Sequence, residues 1–115
     1  MSESDLKITV IPVLVATDLD GTFGKKVDPI PPSNPTICIS GRTFAEYDSV
    51  AKTVAQQMPL YIRGVGHYGD QIAAGNYKAT MISLLGVTHF LEDDPVQANI
   101  IRHQCPNVHV SMVVA

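Results

Sequence analysis

The chain has 115 residues, the usual size of one domain, so residues 1–115 are predicted to form a single domain. Hydrophobic residues make up 45% of the chain and charged residues 17%, a balance typical of globular proteins. The net charge of −3 and the lack of a basic run argue against a protein that coats nucleic acid, although a nucleotide remains allowed as a small substrate. The apolar run from Ile8 to Ala16 is too short to span a bilayer and lacks a basic leader, so we expect a cytoplasmic protein with no membrane partner.

The first third of the chain predicts two short strands separated by a long loop. Ile8 to Thr17 is apolar and rich in β-branched residues, which is typical of a central parallel strand. Pro12 fits poorly in such a strand, so the strand proper is predicted at Val13 to Thr17. The loop from Gly21 to Pro35 contains four prolines and cannot form a long helix. Thr36 to Ser40 is the second predicted strand.

The rest of the chain alternates predicted helices and strands. Thr43 and Glu46 have the spacing of a capping box, so a helix is predicted from Phe44 to about Gln57. Its buried face would contain Phe44, Tyr47, Val50, Ala51 and Val54. The later elements are a strand at Leu60 to Arg63, a helix at Tyr77 to Leu85 capped by Asn76, a strand at Val87 to Leu91, a helix from Pro95 to about His103 and a strand at Val108 to Val114.

This order predicts an α/β fold with one doubly wound, Rossmann-like parallel sheet of five strands. Ligands of such sheets bind at the carboxyl ends of the strands, where the strand order reverses. Polar side chains follow three of the predicted strands: Asp18 the first, Ser40 the second and Asp93 the fourth. The sequence therefore predicts a functional site at this edge of the sheet.

The segment Asp18-Leu19-Asp20-Gly21-Thr22 directly follows the first predicted strand. Two carboxylates in this arrangement can take different roles. Asp18 can hold a metal with one oxygen and attack phosphorus with the other. Asp20 can give a proton to the leaving oxygen, and Gly21 lets the backbone approach a phosphate closely. Hard oxygen ligands of this kind suit Mg²⁺. The competing interpretation of the segment is a structural turn in which the aspartates bond the backbone.

Here the sequence resembles the haloacid dehalogenase-like (HAD) superfamily of phosphohydrolases, in four motifs that occur in the family's order. Val13 to Phe23 matches the first motif, an apolar strand followed by D-x-D-x-T. Ile37 to Ser40 matches the second, a strand that ends in Ser or Thr. Lys78 matches the third, a lysine near the start of a helix. His89 to Asp94 matches the fourth, a strand that ends in paired acids.

The resemblance implies a magnesium-dependent phosphomonoester hydrolase that acts through an aspartyl-phosphate. Asp18 would be the nucleophile, and Asp20 the general acid and base, which also gives its backbone carbonyl to Mg²⁺. Ser40 would bind the phosphoryl group, Lys78 would neutralise charge on Asp18, and Asp93 would complete the metal ligands. Further substrate contacts are predicted at Gly21, Thr22, Gly41, Arg42 and Asp94, with His67 and Tyr68 as candidate leaving-group contacts. Glu92 replaces the glycine common in the family before the fourth-motif acid, so the choice of metal ligand among Glu92, Asp93 and Asp94 stays open.

Many family members carry an inserted cap domain, but the motif spacing here leaves no room for one. Only 17 residues separate Thr22 from Ser40, and 37 separate Ser40 from Lys78. The site is therefore predicted to be open, which suits a phosphorylated small molecule or macromolecular end, or a homo-oligomer whose neighbour covers it. Two alternatives stay open: a phosphotransferase of the same family, and a non-catalytic phosphate- or metal-binding domain. A receiver-like domain is disfavoured because Arg63 to Gly66, after the third predicted strand, contains no acid.

Overall fold

The computed structural model describes residues 12–114, which form an α/β fold with a six-stranded mixed sheet and three α-helices. The strands are β1 (Val15–Thr17), β2 (Val27–Asp28), β3 (Ile37–Thr43), β4 (Leu60–Gly64), β5 (His89–Glu92) and β6 (His109–Val113). The helices are α1 (Ser49–Gln57), α2 (Gln71–Leu85) and α3 (Pro95–Gln104), with a short 3₁₀ helix at Phe44–Glu46. Residues 8–11 of the predicted first strand lie outside the described part. Within residues 12–114, none of the helices has the length and apolar character needed to cross a bilayer.

The strand order of the sheet is β2-β6-β5-β1-β3-β4. Every neighbouring pair is parallel except β2 and β6, which are antiparallel. The predicted α/β class is confirmed, but the prediction of a purely parallel, five-stranded sheet was wrong. The extra strand β2 has only two residues, too few to show a periodic pattern, and it forms because its backbone pairs with β6. The order reverses between β1 and β5, which places the switch point at the centre of the sheet.

The two faces of the sheet are covered differently. Alternate residues of a strand point to opposite faces, as Cys38 and Ile39 of β3 do. Helices α2 and α3 pack over one face, where Ile39 contacts a core that includes Phe90 and Ile101. Helix α1 packs over the other face, where Cys38 joins a smaller core. The proline-rich loop lies beside β6 and is tied to it by the Ser111 hydroxyl, which donates to the Pro29 carbonyl.

The helix predicted from Phe44 to Gln57 is divided in two. The carboxylate of Asp48 accepts hydrogen bonds from the backbone N–H groups of Val50 and Ala51, so α1 begins only at Ser49. The predicted apolar face was also wrong in part, since Phe44 is 70% exposed and Val50 is 51% exposed. An N-cap at Asp48 therefore starts a separate α-helix inside the predicted one.

Helix α2 begins at Gln71, six residues earlier than predicted. Asp70 caps it by accepting a hydrogen bond from the backbone N–H of Ala73 at 3.0 Å. Gly75 precedes the predicted helix start at Tyr77, but it lies inside the observed helix, where α3 approaches closely. A Cβ atom at Gly75 would lie 2.9 Å from Cδ1 of Ile100, so the glycine is required by packing rather than by a turn.

Candidate functional site

The first and fourth sequence motifs meet at the switch point of the sheet. Asp18 follows β1 and Asp93 follows β5, and the backbone N–H of Asp18 donates to the carbonyl of Leu91 at 2.9 Å. The hydroxyl of Thr22 lies 3.2 Å from Oδ2 of Asp18 and 3.2 Å from Oδ1 of Asp93. Two carboxylates from distant parts of the chain therefore face one hydroxyl group.

A glycine in the turn after Asp18 lets the backbone pass close to the Asp93 carboxylate. Leu19 is buried in the core under α1 and anchors the turn. Gly21 has a φ of +73°, a left-handed conformation that L side chains rarely adopt. A Cβ atom at Gly21 would lie 2.3 Å from Oδ2 of Asp93. Only glycine lets the turn pass this close to the Asp93 carboxylate.

Lys78 is buried beneath these carboxylates, with 2% of its side chain exposed. Its Nζ donates to Oδ1 of Asp18 at 2.9 Å and to Oε1 of Glu92 at 2.7 Å. The third donor hydrogen goes to the side-chain carbonyl of Gln97. An ammonium group has three N–H donors, so every donor of Lys78 is used inside the protein.

Glu92 connects Lys78 to the start of α3. Its side chain is fully buried, and Oε2 accepts hydrogen bonds from the backbone N–H groups of Asp93 at 3.0 Å and Asp94 at 3.2 Å. Asp94 in turn caps α3 by accepting from the backbone N–H of Gln97 at 2.8 Å. Glu92 is therefore a central hydrogen-bonding group of the site.

Burial and mutual charge shift the pKa values of this group. Burial raises the pKa of Glu92 to about 8 and raises that of Asp18, while Lys78 opposes both shifts. Burial disfavours the charged form of Lys78, but Asp18 and Glu92 outweigh it and raise the pKa of the ammonium. Burial, followed by the charge of Asp18, raises the pKa of the Cys38 thiol to about 12. Lys78 therefore stays charged, and its two carboxylate partners compete for that charge.

Asp18, Glu92 and Asp93 form an acidic cluster that can hold a metal ion. One carboxylate oxygen of each lies within 4.8 Å of the others. Such oxygens are the ligands that hard divalent cations prefer, although they do not select Mg²⁺ by themselves. The cluster contains the predicted ligands Asp18 and Asp93 together with Glu92, whereas Asp20 is predicted to bind the ion through its backbone carbonyl and contributes no side-chain oxygen to the cluster.

The Asp20 carboxylate is not part of this acidic cluster and forms an ion pair with Arg42. Nε and Nη2 of Arg42 donate to the two carboxylate oxygens at 3.1 and 2.8 Å. Nη1 of Arg42 donates to Oδ1 of Asp48 at 2.8 Å and to the carbonyl of Glu46 at 2.9 Å. The hydrogen bond with Asp20, opposed by partial burial, raises the pKa of the Arg42 guanidinium.

An open cavity of about 300 Å³ lies over these groups. The predicted residues that do not line it are Gly21, Thr22, Ser40, His67 and the alternative metal ligand Glu92. Ser40 is fully buried inside β3, which continues to Thr43, and its hydroxyl accepts the backbone N–H of Arg42 at 3.2 Å. Thr22 is buried between Asp18 and Asp93. The predicted residues that line the cavity are Asp18, Asp20, Gly41, Arg42, Lys78, Asp93 and Asp94, together with Tyr68 but not His67.

A larger groove of about 1180 Å³ follows the proline-rich loop and contains none of the predicted site residues.

Sequence reasoning missed two residues at this site. Gln97 lies on the buried stripe of α3 beside Ala98 and Ile101, and a polar residue on such a stripe was the signal available. Arg63 donates to the carbonyls of Gly41 at 3.0 Å, Val65 at 3.0 Å and His67 at 2.8 Å, and so fastens the loop between β4 and α2. No sequence pattern identifies a side chain whose partners are all backbone carbonyls.

Comparison with known proteins gives no family assignment. No protein-family model, curated protein or solved structure matches the chain. The functional interpretation therefore depends on the geometry of the described residues and on the motifs they carry.

Proposed function

We propose that this chain is a magnesium-dependent phosphomonoester hydrolase of the HAD-like type, with Asp18 as its nucleophile. The observation that supports the proposal most strongly is the convergence of Asp18, Asp93 and Lys78 at the carboxyl end of β1 and β5. This combination offers a nucleophile, oxygen ligands for a cation and a fixed positive charge within one small volume.

The proposed first step transfers the phosphoryl group to Asp18. A carboxylate oxygen of Asp18 forms a bond to phosphorus as the bond to the ester oxygen breaks, and Asp20 gives its proton to that leaving oxygen. In the second step a water oxygen bonds to phosphorus, Asp20 takes the water proton, and the bond from Asp18 to phosphorus breaks. Asp20 then holds its proton again, and phosphate leaves.

Lys78 orients the nucleophile in both steps. Because its three N–H donors bind Asp18, Glu92 and Gln97, its main effect is to hold the Asp18 carboxylate and to balance its charge. Asp18 and Asp93, with Glu92 beside them, would hold Mg²⁺, which when bound supplies positive charge to the phosphate oxygens. Six carboxylates and only three cationic side chains line the cavity, so a phosphate dianion needs that added charge.

The test is release of inorganic phosphate from 4-nitrophenyl phosphate by the purified chain, with Mg²⁺ or with EDTA. We expect turnover that requires Mg²⁺ and falls by more than about 1000-fold in Asp18→Asn, which removes the nucleophile. Asp28→Asn is the matched control, since Asp28 lies on the distant edge strand β2 and should leave turnover unchanged.

Three outcomes would contradict the proposal. Turnover that persists in Asp18→Asn removes Asp18 as the nucleophile. Transfer to an added alcohol with no transfer to water favours the phosphotransferase alternative. Mg²⁺-dependent phosphate binding without turnover of aryl, sugar or nucleotide phosphates favours a non-catalytic domain.

A further inference from the structure

We propose that Arg42 is a positioning residue that holds the Asp20 carboxylate in its working orientation. This inference rests on the proposed function, in which Asp20 is the general acid and base. The two side chains form a fork-to-fork pair, in which Nε and Nη2 of Arg42 bind separate oxygens of Asp20 at 3.1 and 2.8 Å. A pair of this kind fixes the plane of the carboxylate as well as its position.

Asp20 has little else to hold it. Its side chain is 61% exposed, and its turn contains Gly21 and Gly24, both with positive φ. Exposed side chains on glycine-rich turns exchange between rotamers readily. The orientation of Asp20 is therefore set by its partner rather than by packing.

Arg42 is itself firmly anchored. Its side chain is only 12% exposed, and Nη1 binds both Oδ1 of Asp48 and the carbonyl of Glu46. The Glu46 carboxylate accepts from the backbone N–H and the hydroxyl of Thr43, each at 2.9 Å, which fixes the loop that carries these anchors. Four of the five N–H donors of Arg42 are thus used within the protein, which favours a positioning role over a direct substrate contact.

A general acid matters most when the leaving group is poor. Phenol needs the proton from Asp20 as the ester bond breaks, whereas dinitrophenol leaves readily as an anion. Loss of orientation at Asp20 should therefore slow the first turnover of phenyl phosphate and spare that of dinitrophenyl phosphate. A general loss of folding or of metal binding would slow both esters equally.

The experiment measures phenol and dinitrophenol release in the first turnover, at saturating ester and Mg²⁺, for wild type, Arg42→Lys and Arg42→Met. A general acid contributes about 100- to 10,000-fold, so we expect Arg42→Met to lose about 30-fold or more with phenyl phosphate and less than about 3-fold with dinitrophenyl phosphate. Arg42→Lys keeps the positive charge but not the bidentate geometry, so its rate with phenyl phosphate should lie between those of wild type and Arg42→Met. Asp20→Asn should show the same selectivity more strongly.

Arg63→Gln is the matched control, because this arginine lines the same cavity but binds only backbone carbonyls. This variant should change the first-turnover rate by the same factor for both esters. If the Arg42 variants lose the same factor in first-turnover rate with both esters, the positioning role is overturned while the proposed hydrolase function stands. Faster phenol release in those variants would mean that the pair restrains Asp20, and would overturn it too. A wild-type protein inactive on both esters would remove the inference together with the proposed function.

Discussion

Replacing Lys78 with methionine removes the buried positive charge and keeps a side chain of similar length. Asp18, Glu92 and Gln97 each lose a hydrogen-bond donor in a region where Lys78 and Glu92 are almost fully inaccessible to solvent. Removing one partner of a buried ion pair costs about 3–5 kcal/mol, because the remaining charge is left without compensation. With a urea m-value of about 2 kcal/mol/M, we expect the unfolding midpoint to fall by about 2 M.

The measurement is urea unfolding in EDTA at pH 9, above the pKa of Glu92 of about 8, followed by circular dichroism. Lys52→Met is the matched control, since Lys52 is exposed on α1 and its loss should change stability by less than about 0.5 kcal/mol. Adding Glu92→Gln to Lys78→Met removes one of the two uncompensated carboxylates. The double variant should therefore be more stable than the sum of the two single losses predicts, by about 1–3 kcal/mol.

The destabilisation should shrink at pH 5, where the abandoned carboxylates take up protons and need no compensating charge. If Lys78→Met lowers the free energy of unfolding no more than Lys52→Met does, the reasoning is refuted. Such a result would mean that the cluster is solvated in the folded protein. Strict additivity in the double variant would refute it as well, because it would show that Lys78 and Glu92 act independently.

The remaining predictions concern pH, metal binding and packing. The folded-state pKa of Glu92, about 8, is above its ordinary value of 4.5, so the metal-free protein should lose stability as the pH rises from 4.5 through 8, and Glu92→Gln should flatten this slope in thermal unfolding. Gly21→Ala and Gly24→Ala should cost similar backbone strain, about 1–2 kcal/mol each. Only Gly21→Ala places a methyl group against the acidic cluster, and it should weaken Mg²⁺ binding about 10-fold or more by calorimetry, whereas Gly24 has no neighbouring atom within 4 Å. Gly75→Ala should destabilise the protein to urea, because overpacking against Ile100 costs about 1–3 kcal/mol and outweighs the helix-propensity gain of about 1 kcal/mol.

The order of the central strands along the chain and the meeting of Asp18 with Asp93 could be predicted because both depend on local signals. An apolar β-branched run marks each central strand, and a parallel sheet brings the carboxyl ends of neighbouring strands together. Pro95 at the start of α3 and Gly86 at the end of α2 mark helix ends through their own backbone preferences, and both are found there. These features need no knowledge of distant contacts.

Features that depend on distant partners could not be predicted in the same way. Strand β2 exists only because β6 lies beside it, and the presence of glycine at position 75 inside α2 is explained by the close approach of α3. The pairing of Asp20 with Arg42 joins residues 22 positions apart through rotamers that no sequence pattern encodes. The buried role of Glu92 was hidden because a run of three acids is typical of an exposed helix start.

Charge balance decides which ligands this edge of the sheet can accept. Lys78 faces two carboxylates, Asp18 and Glu92, and Arg42 faces Asp20 and the carboxylate that caps α1. Both cations are therefore outnumbered by their own partners, and little positive charge remains for an incoming anion. A divalent cation at the acidic cluster would reverse this local balance, because it adds two charges where the carboxylates are closest. The same residues that repel a phosphate alone would then accept it together with the cation, so phosphate affinity should depend on the metal more than on any single side chain.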